Sequence, residues 1–456
     1  MTRKMLIIDV AALSPVEVTE RTPNMRALAA RGCLRPLREP FPSLTCPSHA
    51  TLVMGNLPSE HGMVGNCLYS REYAKLFNWN RSSHLLTGTP LWEAARARDP
   101  KLTCANLFLR HCADTSCDIR VTERPVYWVS GRKQFEFFAE PRTLHTELTH
   151  KLGPLPFQQF WGPLADIQSS EWIIGAALHV MQQSDPDLLL VYPPFLDYDG
   201  ARFGPGSPQV ERALSAMDAA LEPLLRAAAS QGRDVLLMSD YGFERVDQPV
   251  YLNRELRRAG LLAVEDAPNG ERLDHGTSRA FAVCDNQIAH VYVTRQEDVS
   301  LVRALLEKVS GVAQVLDAKE QATLGIAHPR SGELIVTSTP QAFFSYPYWL
   351  DPKKMPDFAE CIAVFDKIGT DTCELFLKPG AAGKLHLARR FLQLKMNLKV
   401  PFDIIDIDDR NVHGARRVAR DDPQRGATVI SSWDLGGTGP VPMQALKELI
   451  LQRMFD

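Results

Sequence analysis

Three short runs that are almost wholly apolar constrain this chain more than any other feature. They are residues 5–10 (Met-Leu-Ile-Ile-Asp-Val), 187–192 (Asp-Leu-Leu-Leu-Val-Tyr) and 234–239 (Asp-Val-Leu-Leu-Met-Ser). Runs this short, with no wet face in their pattern, read as strands buried on both sides. Helical segments separate them. Thr22-Pro23 opens one, with Thr as N-cap and Pro in the first turn, and Gly32 closes it. Others are expected at 171–183, after Ser169-Ser170, and at about 208–229, with a polar turn over 197–206 between strand and helix. Strand–helix alternation predicts an α/β fold, a mainly parallel central sheet with helices on both faces. Such sheets place their polar sites at the carboxyl ends of strands.

The pattern changes in the middle of the chain. Strand-like runs at 290–294, 312–316 and 332–337, with a helix near 299–309, predict a smaller α+β cap inserted over 251–390. Residues 1–250 and 391–456 would then form the core, with 402–407, 427–431 and a helix over 441–454 returning to it. The aromatic run Phe343, Phe344, Tyr346, Tyr348 and Trp349 reads as an ordered loop. It either builds the cap's own core or accepts a flat group.

The 456 residues are 45% hydrophobic, which excludes a disordered chain, and 51 Lys+Arg against 54 Asp+Glu give a formal charge of −3. Without basic runs a nucleic-acid polymer is not an expected partner. Nine scattered cysteines with no CxxC pair fit a reducing compartment. Residues 1–10 carry too little apolar length for a signal peptide, and no stretch reaches the roughly 20 apolar residues of a membrane span. A cytoplasmic protein with no membrane partner is expected. Oligomeric state leaves no trace in the sequence.

Asp9, Asp197 and Asp240 each follow a predicted strand. One such residue is usually a turn former, but three on parallel strands can meet along one sheet edge. Gathered carboxylates repel unless a cation neutralises them, and oxygen ligands suit hard divalent ions. Thr45, just before Pro47, stands at a predicted helix N-terminus, where backbone N–H groups favour a phosphate; it either serves the chemistry or only caps the helix. His49, four residues on, faces the same way, as a ligand or as a buried helix histidine. Asn66 offers an amide donor or sits in a turn. Cys46 is a rival nucleophile at the same helix end, but Cys46-Pro47-Ser48-His49 lacks the arginine of a sulfatase-type signature, so a buried, inert thiol is expected. His61 is expected to close a turn, His275 to lie on a surface loop and His290 to pack in a strand. His111, Cys112 and Cys117 form a lone cluster without the second half of a zinc site.

Taken in order, Asp9, Thr45-Cys-Pro-Ser-His49, Leu57-Pro-Ser-Glu-His-Gly62 through Asn66, Asp197 to Gly204-Pro205, and Ser239-Asp-Tyr-Gly242 resemble the nucleotide pyrophosphatase/phosphodiesterase branch of the alkaline phosphatase superfamily. The resemblance covers nearly the whole chain. It implies hydrolysis of a phosphodiester or nucleotide pyrophosphate, with a small phosphorylated substrate and two divalent metal ions (Zn, Mn or Mg). Thr45 would be the nucleophile and Asn66 would orient the phosphoryl group. Asp9, Asp240 and Thr45 would hold one metal and Asp197 the other, with His413 a possible further ligand.

The chain departs from the family pattern at the metal ligands. Tyr241 and Ala201 stand where the family has histidines, and Cys46 where an aromatic often follows the threonine. The late histidine position falls on His413 or, in an ungapped reading, on Arg416. Asp199 is a possible substitute ligand. Fewer imidazoles shift any remaining site from zinc toward Mn or Mg. The alternative is a degenerate member that binds a phosphorylated ligand, or performs non-hydrolytic chemistry, having lost part of its metal site.

Overall fold

The computed structural model describes residues 2–128, 133–396, 398, 400–418 and 421–456. Its frame is a nine-stranded sheet. Five adjacent strands run parallel: Asp234–Met238, Met5–Asp9, Leu188–Val191, Cys104–Leu107 and Ile119–Glu123. Antiparallel strands flank them, Thr428–Ser431 on one side and Phe137–Glu140 on the other. Cys33–Arg38 and Val441–Pro442 complete the first edge. The apolar runs that announce the sheet are buried along their length, as strands with both faces covered must be. Helices pack in two groups: Pro23–Arg31, Ile167–Gln183 and Phe195–Phe203 gather around Pro208–Ser230, while Leu446–Phe455 packs on Thr45–Met54 and Leu91–Arg98. This is the expected α/β architecture.

A second, four-stranded antiparallel sheet is built from Ala280–Asp285, Ile288–Val293, Leu334–Ser338 and Val312–Leu316. It has its own apolar cluster, in which Phe344, Tyr346, Tyr348 and Trp349 are buried. Phe343 is buried in a neighbouring cluster. The aromatic run therefore builds interior rather than an open platform.

Three local expectations change. Residues 197–206 are not a polar turn: Phe195–Phe203 is a helix whose Phe195, Leu196, Tyr198 and Ala201 are buried. The chain near 380 forms another helix, Gly380–Lys395, and the last helix begins at Leu446 rather than 441, after a short edge strand. The cysteines at 33, 46, 67, 104, 112, 117, 284 and 373 are free thiols. No helix among the described residues is long and apolar enough to cross a membrane.

Candidate active site

Parallel register sets the first pair of site residues. Asp9 ends its strand opposite Met238, so Asp240, two residues further on, leaves the neighbouring strand at the same sheet edge. Both carboxyls are fully buried. Neither Asp9 oxygen has a hydrogen-bond partner; Asp240 Oδ1 accepts a long bond from the Ala12 amide at 3.4 Å and Oδ2 has none. Burial drives the Asp9 pKa well above the carboxylate range, and burial together with the charge of Asp9 does the same to Asp240.

The helix Thr45–Met54 is laid against this pair. Ser48 Oγ donates to the backbone carbonyl of Asp240 at 2.7 Å. His49 Nε2 lies 2.6 Å from Asp9 Oδ2, a close contact in which the ring N–H is off the line of a proper hydrogen bond. His49 Nδ1 accepts the backbone N–H of Arg110 at 3.0 Å, and the ring meets Tyr192 edge-on at 4.6 Å. Burial lowers the His49 pKa to about 4, so the ring is neutral at pH 7. Asp9, His49 and Asp240 offer donor atoms within 4.8 Å of one another, the one such group among the described residues.

Thr45 is the first residue of this helix, one turn before His49 and on the same face. It caps nothing; Leu44 is the N-cap, and the buried Thr45 Oγ1 has no hydrogen-bond partner. The helix end is not an open array of donors. Pro47 has no N–H, and the Cys46 N–H is taken by Asn66 Oδ1 at 2.9 Å. That bond fixes the Asn66 amide and leaves its buried NH2 group without an aligned partner. Cys46 is inert, as burial pushes its thiol up to about 12.

Asp197 sits in the first turn of Phe195–Phe203, and its charge is already matched. Tyr241 donates to Oδ1 at 2.7 Å. Arg416 donates from Nε to Oδ1 at 3.2 Å and from Nη2 to Oδ2 at 3.1 Å. Arg416 arrives on the strand Gly414–Arg416, paired with Phe243–Arg245. Gly414 permits the approach, since a Cβ there would lie 2.1 Å from the carbonyl oxygen of Gly200 in the Asp197 helix. His413 does not reach the acidic cluster. Its side chain is exposed and its backbone bonds Ala201 and Val246. Asp199 turns to Arg202 instead, at 3.4 Å.

One participant escapes sequence reasoning. Asp285, at the tip of the hairpin between Ala280–Asp285 and Ile288–Val293, lies 3.8 Å from Arg416 Nη1. Burial raises its pKa, opposed by the charge of Arg416 and by the hydrogen bond from Asn286 Nδ2 at 3.0 Å. Asn286 Oδ1 accepts the Arg416 amide at 3.1 Å, so the second sheet holds the site from above. The sole sequence signal is Asp-Asn between two apolar runs.

The remaining candidates are structural. His61 bonds Thr51 and the Met63 amide, and His290 bonds Val64 and Gly332. His275 stacks on Tyr69. Cys112 donates to Asn106, and Cys117 lies 3.4 Å from Cys104.

The buried donor atoms of Asp9, His49 and Asp240, within 4.8 Å of one another, suit a divalent ion, and Thr45, with its unpartnered hydroxyl, is on the same helix face as His49. At Asp197 Tyr241 and Arg416 engage both carboxylate oxygens and position 201 is alanine, so its surroundings offer a second ion few ligands.

Comparison with known proteins identifies the family. The family model described as Type I phosphodiesterase / nucleotide pyrophosphatase matches residues 5–361. An uncharacterized pyrophosphatase/phosphodiesterase of Schizosaccharomyces pombe is 24% identical over 238 residues, 48% of this chain. The match spans 40% of that relative's length. Among solved structures, phosphonoacetate hydrolase from Sinorhizobium meliloti 1021 in complex with phosphonoformate superposes with a TM-score of 0.63 at 14% identity, covering 99% of this chain and 96% of the other. An inactive form of murine ectonucleotide pyrophosphatase / phosphodiesterase 5 in complex with AMP gives 0.60 at 13%, covering 99% and 95%. At these identities the likeness is one of fold. With the family model matched over most of its length, the chain belongs to the Type I phosphodiesterase / nucleotide pyrophosphatase family, a family of hydrolases.

Proposed function

We propose that the protein is a metal-dependent hydrolase of a phosphodiester or nucleotide pyrophosphate in which Thr45 attacks phosphorus. The observation that carries this reading is the Thr45 hydroxyl: fully buried, without a hydrogen-bond partner, and on the helix face that touches Asp9. A buried hydroxyl left unpaired costs stability unless a ligand completes it.

Asp9, Asp240 and Thr45 would hold the cation. What the ion supplies when bound is Lewis acidity, which lowers the hydroxyl pKa and draws charge from the phosphoryl oxygens. Thr45 Oγ gives up its proton and forms the new bond to phosphorus as the bond to the leaving oxygen breaks, and the leaving oxygen takes up a proton from solvent. Asn66, its carbonyl oxygen held by the Cys46 amide, turns its NH2 group toward a phosphoryl oxygen. Arg416, over Tyr241 and Trp79 at 4.8 and 5.3 Å, offsets the negative charge of Asp197 beside the site. Water then cleaves the phosphothreonine.

The test is turnover of bis(p-nitrophenyl) phosphate by the Mn-loaded protein. Thr45→Ala is expected to lose on the order of 1,000-fold or more, as removal of a nucleophile does, while Thr45→Ser keeps measurable rate. Equal rates for wild type and Thr45→Ala defeat the reading.

The engaged Asp197 favours a second reading, a binding protein that retains a phosphorylated ligand without hydrolysing it. It expects AMP to bind with similar affinity to wild type and Thr45→Ala, with no turnover by either.

A further inference from the structure

We infer that this chain carries one exchangeable cation site, built from oxygen donors alone, with Arg416 as the resident positive charge where the family resemblance implies a second metal. The inference rests on reading the Asp9–Asp240 cluster as the reaction centre.

Arg416 is buried, 4% exposed, and bridges two carboxylates. It holds both oxygens of Asp197 and lies 3.8 Å from Asp285. Its position is fixed from four directions: strand pairing to Phe243, the Asn286 side chain on its amide, and the rings of Tyr241 and Trp79 on its guanidinium. A planar fork held by two-point bonds to a carboxylate is not readily displaced by an ion. The two imidazoles that a second metal would need are missing, since position 201 is alanine and His413 is exposed.

The same reasoning removes nitrogen from the first site. His49 is near enough to be a ligand, but a neutral imidazole has one lone pair, and here the Arg110 N–H occupies it at Nδ1. The ring proton therefore sits on Nε2, against Asp9. His49 is a positioning residue that orients Asp9. The donors left are oxygens of Asp9, Asp240 and Thr45, a set that suits Mn or Mg over zinc.

The test is metal binding, read without activity. Purified chain is stripped with chelator, loaded with excess Mn, dialysed and counted, and bound Mn is examined by pulsed electron paramagnetic resonance. One Mn per chain is expected, with no modulation from a directly bound imidazole nitrogen. Asp240→Asn is expected to weaken binding at least tenfold, and Asp197→Asn to leave the count at one. Two ions per chain, none, or a clear imidazole signal overturns the inference. So does zinc binding 100-fold more tightly than Mn. Failure of the hydrolase reading appears separately, as turnover that ignores Thr45→Ala.

Discussion

Arg416 and Asp197 form a buried two-point ion pair, Nε to Oδ1 at 3.2 Å and Nη2 to Oδ2 at 3.1 Å, joining the strand Gly414–Arg416 to the helix Phe195–Phe203. Nothing in local sequence joins these residues, which are 219 positions apart. The pair sets the charge of one half of the site and leaves Asp9 and Asp240 to the other.

Breaking that pair from one side strands a charge. Arg416→Met is expected to destabilise the protein by about 3–5 kcal/mol, the usual loss when one partner of a buried pair is removed. The double variant Arg416→Met/Asp197→Asn should recover a substantial part of this. Urea unfolding of the four proteins in a double-mutant cycle measures the coupling. Additive effects would show that the two side chains do not depend on one another.

His49 acts on Asp9 through a contact of 2.6 Å. His49→Ala is expected to weaken Mn binding by about 10–100-fold, the typical loss when a residue orienting a ligand is removed. His49→Gln, whose amide can reach the same Asp9 oxygen, should recover most of it. Titration with Mn distinguishes this from simple ligand loss, where glutamine would restore little.

Asp409 gives a pH signature away from the reaction centre. Burial, with the charge of nearby Asp371, raises its pKa to about 6, although Ser345, Tyr251 and Cys373 hydrogen-bond to it. The folded state then holds a proton more tightly than the unfolded state, so stability from this group is full below the unfolded pKa near 3.8 and is lost as pH rises through about 6. The loss is about 3 kcal/mol at most, at 1.36 kcal/mol per unit. Asp409→Asn should therefore lack this slope. Urea midpoints between pH 4 and 7 check it: parallel curves for wild type and variant would rule the assignment out.

Much of this site was legible where the signal was local. Asp9 and Asp240 stand out because the apolar run that makes each strand also marks its end, and parallel strands align their ends. Thr45 is legible from Pro47 and the helical run behind it, and the four-residue step to His49 puts both on one face. Asp197 was placed by order along the chain, but its helix was not. Two aspartates and a glycine lower helix propensity over 195–203, and packing of Phe195, Leu196 and Tyr198 against the interior outweighs that deficit. The choice between His413 and Arg416 depended on pairing with Phe243–Arg245 and on a glycine contact to Gly200, both long-range. Asp285 belongs to a hairpin of the second sheet, and only the folded chain brings it to Arg416. The tautomer of His49 likewise depends on the backbone of Arg110, which no sequence motif specifies.

The most direct measurement of the central claim is the configuration at phosphorus after one turnover. A chiral phosphorothioate diester hydrolysed in isotopically labelled water reports how many displacements occurred. Attack by Thr45 followed by water comprises two in-line displacements, so net retention is expected. Net inversion would mean that water attacks phosphorus directly, and would contradict a role for the Thr45 hydroxyl as nucleophile.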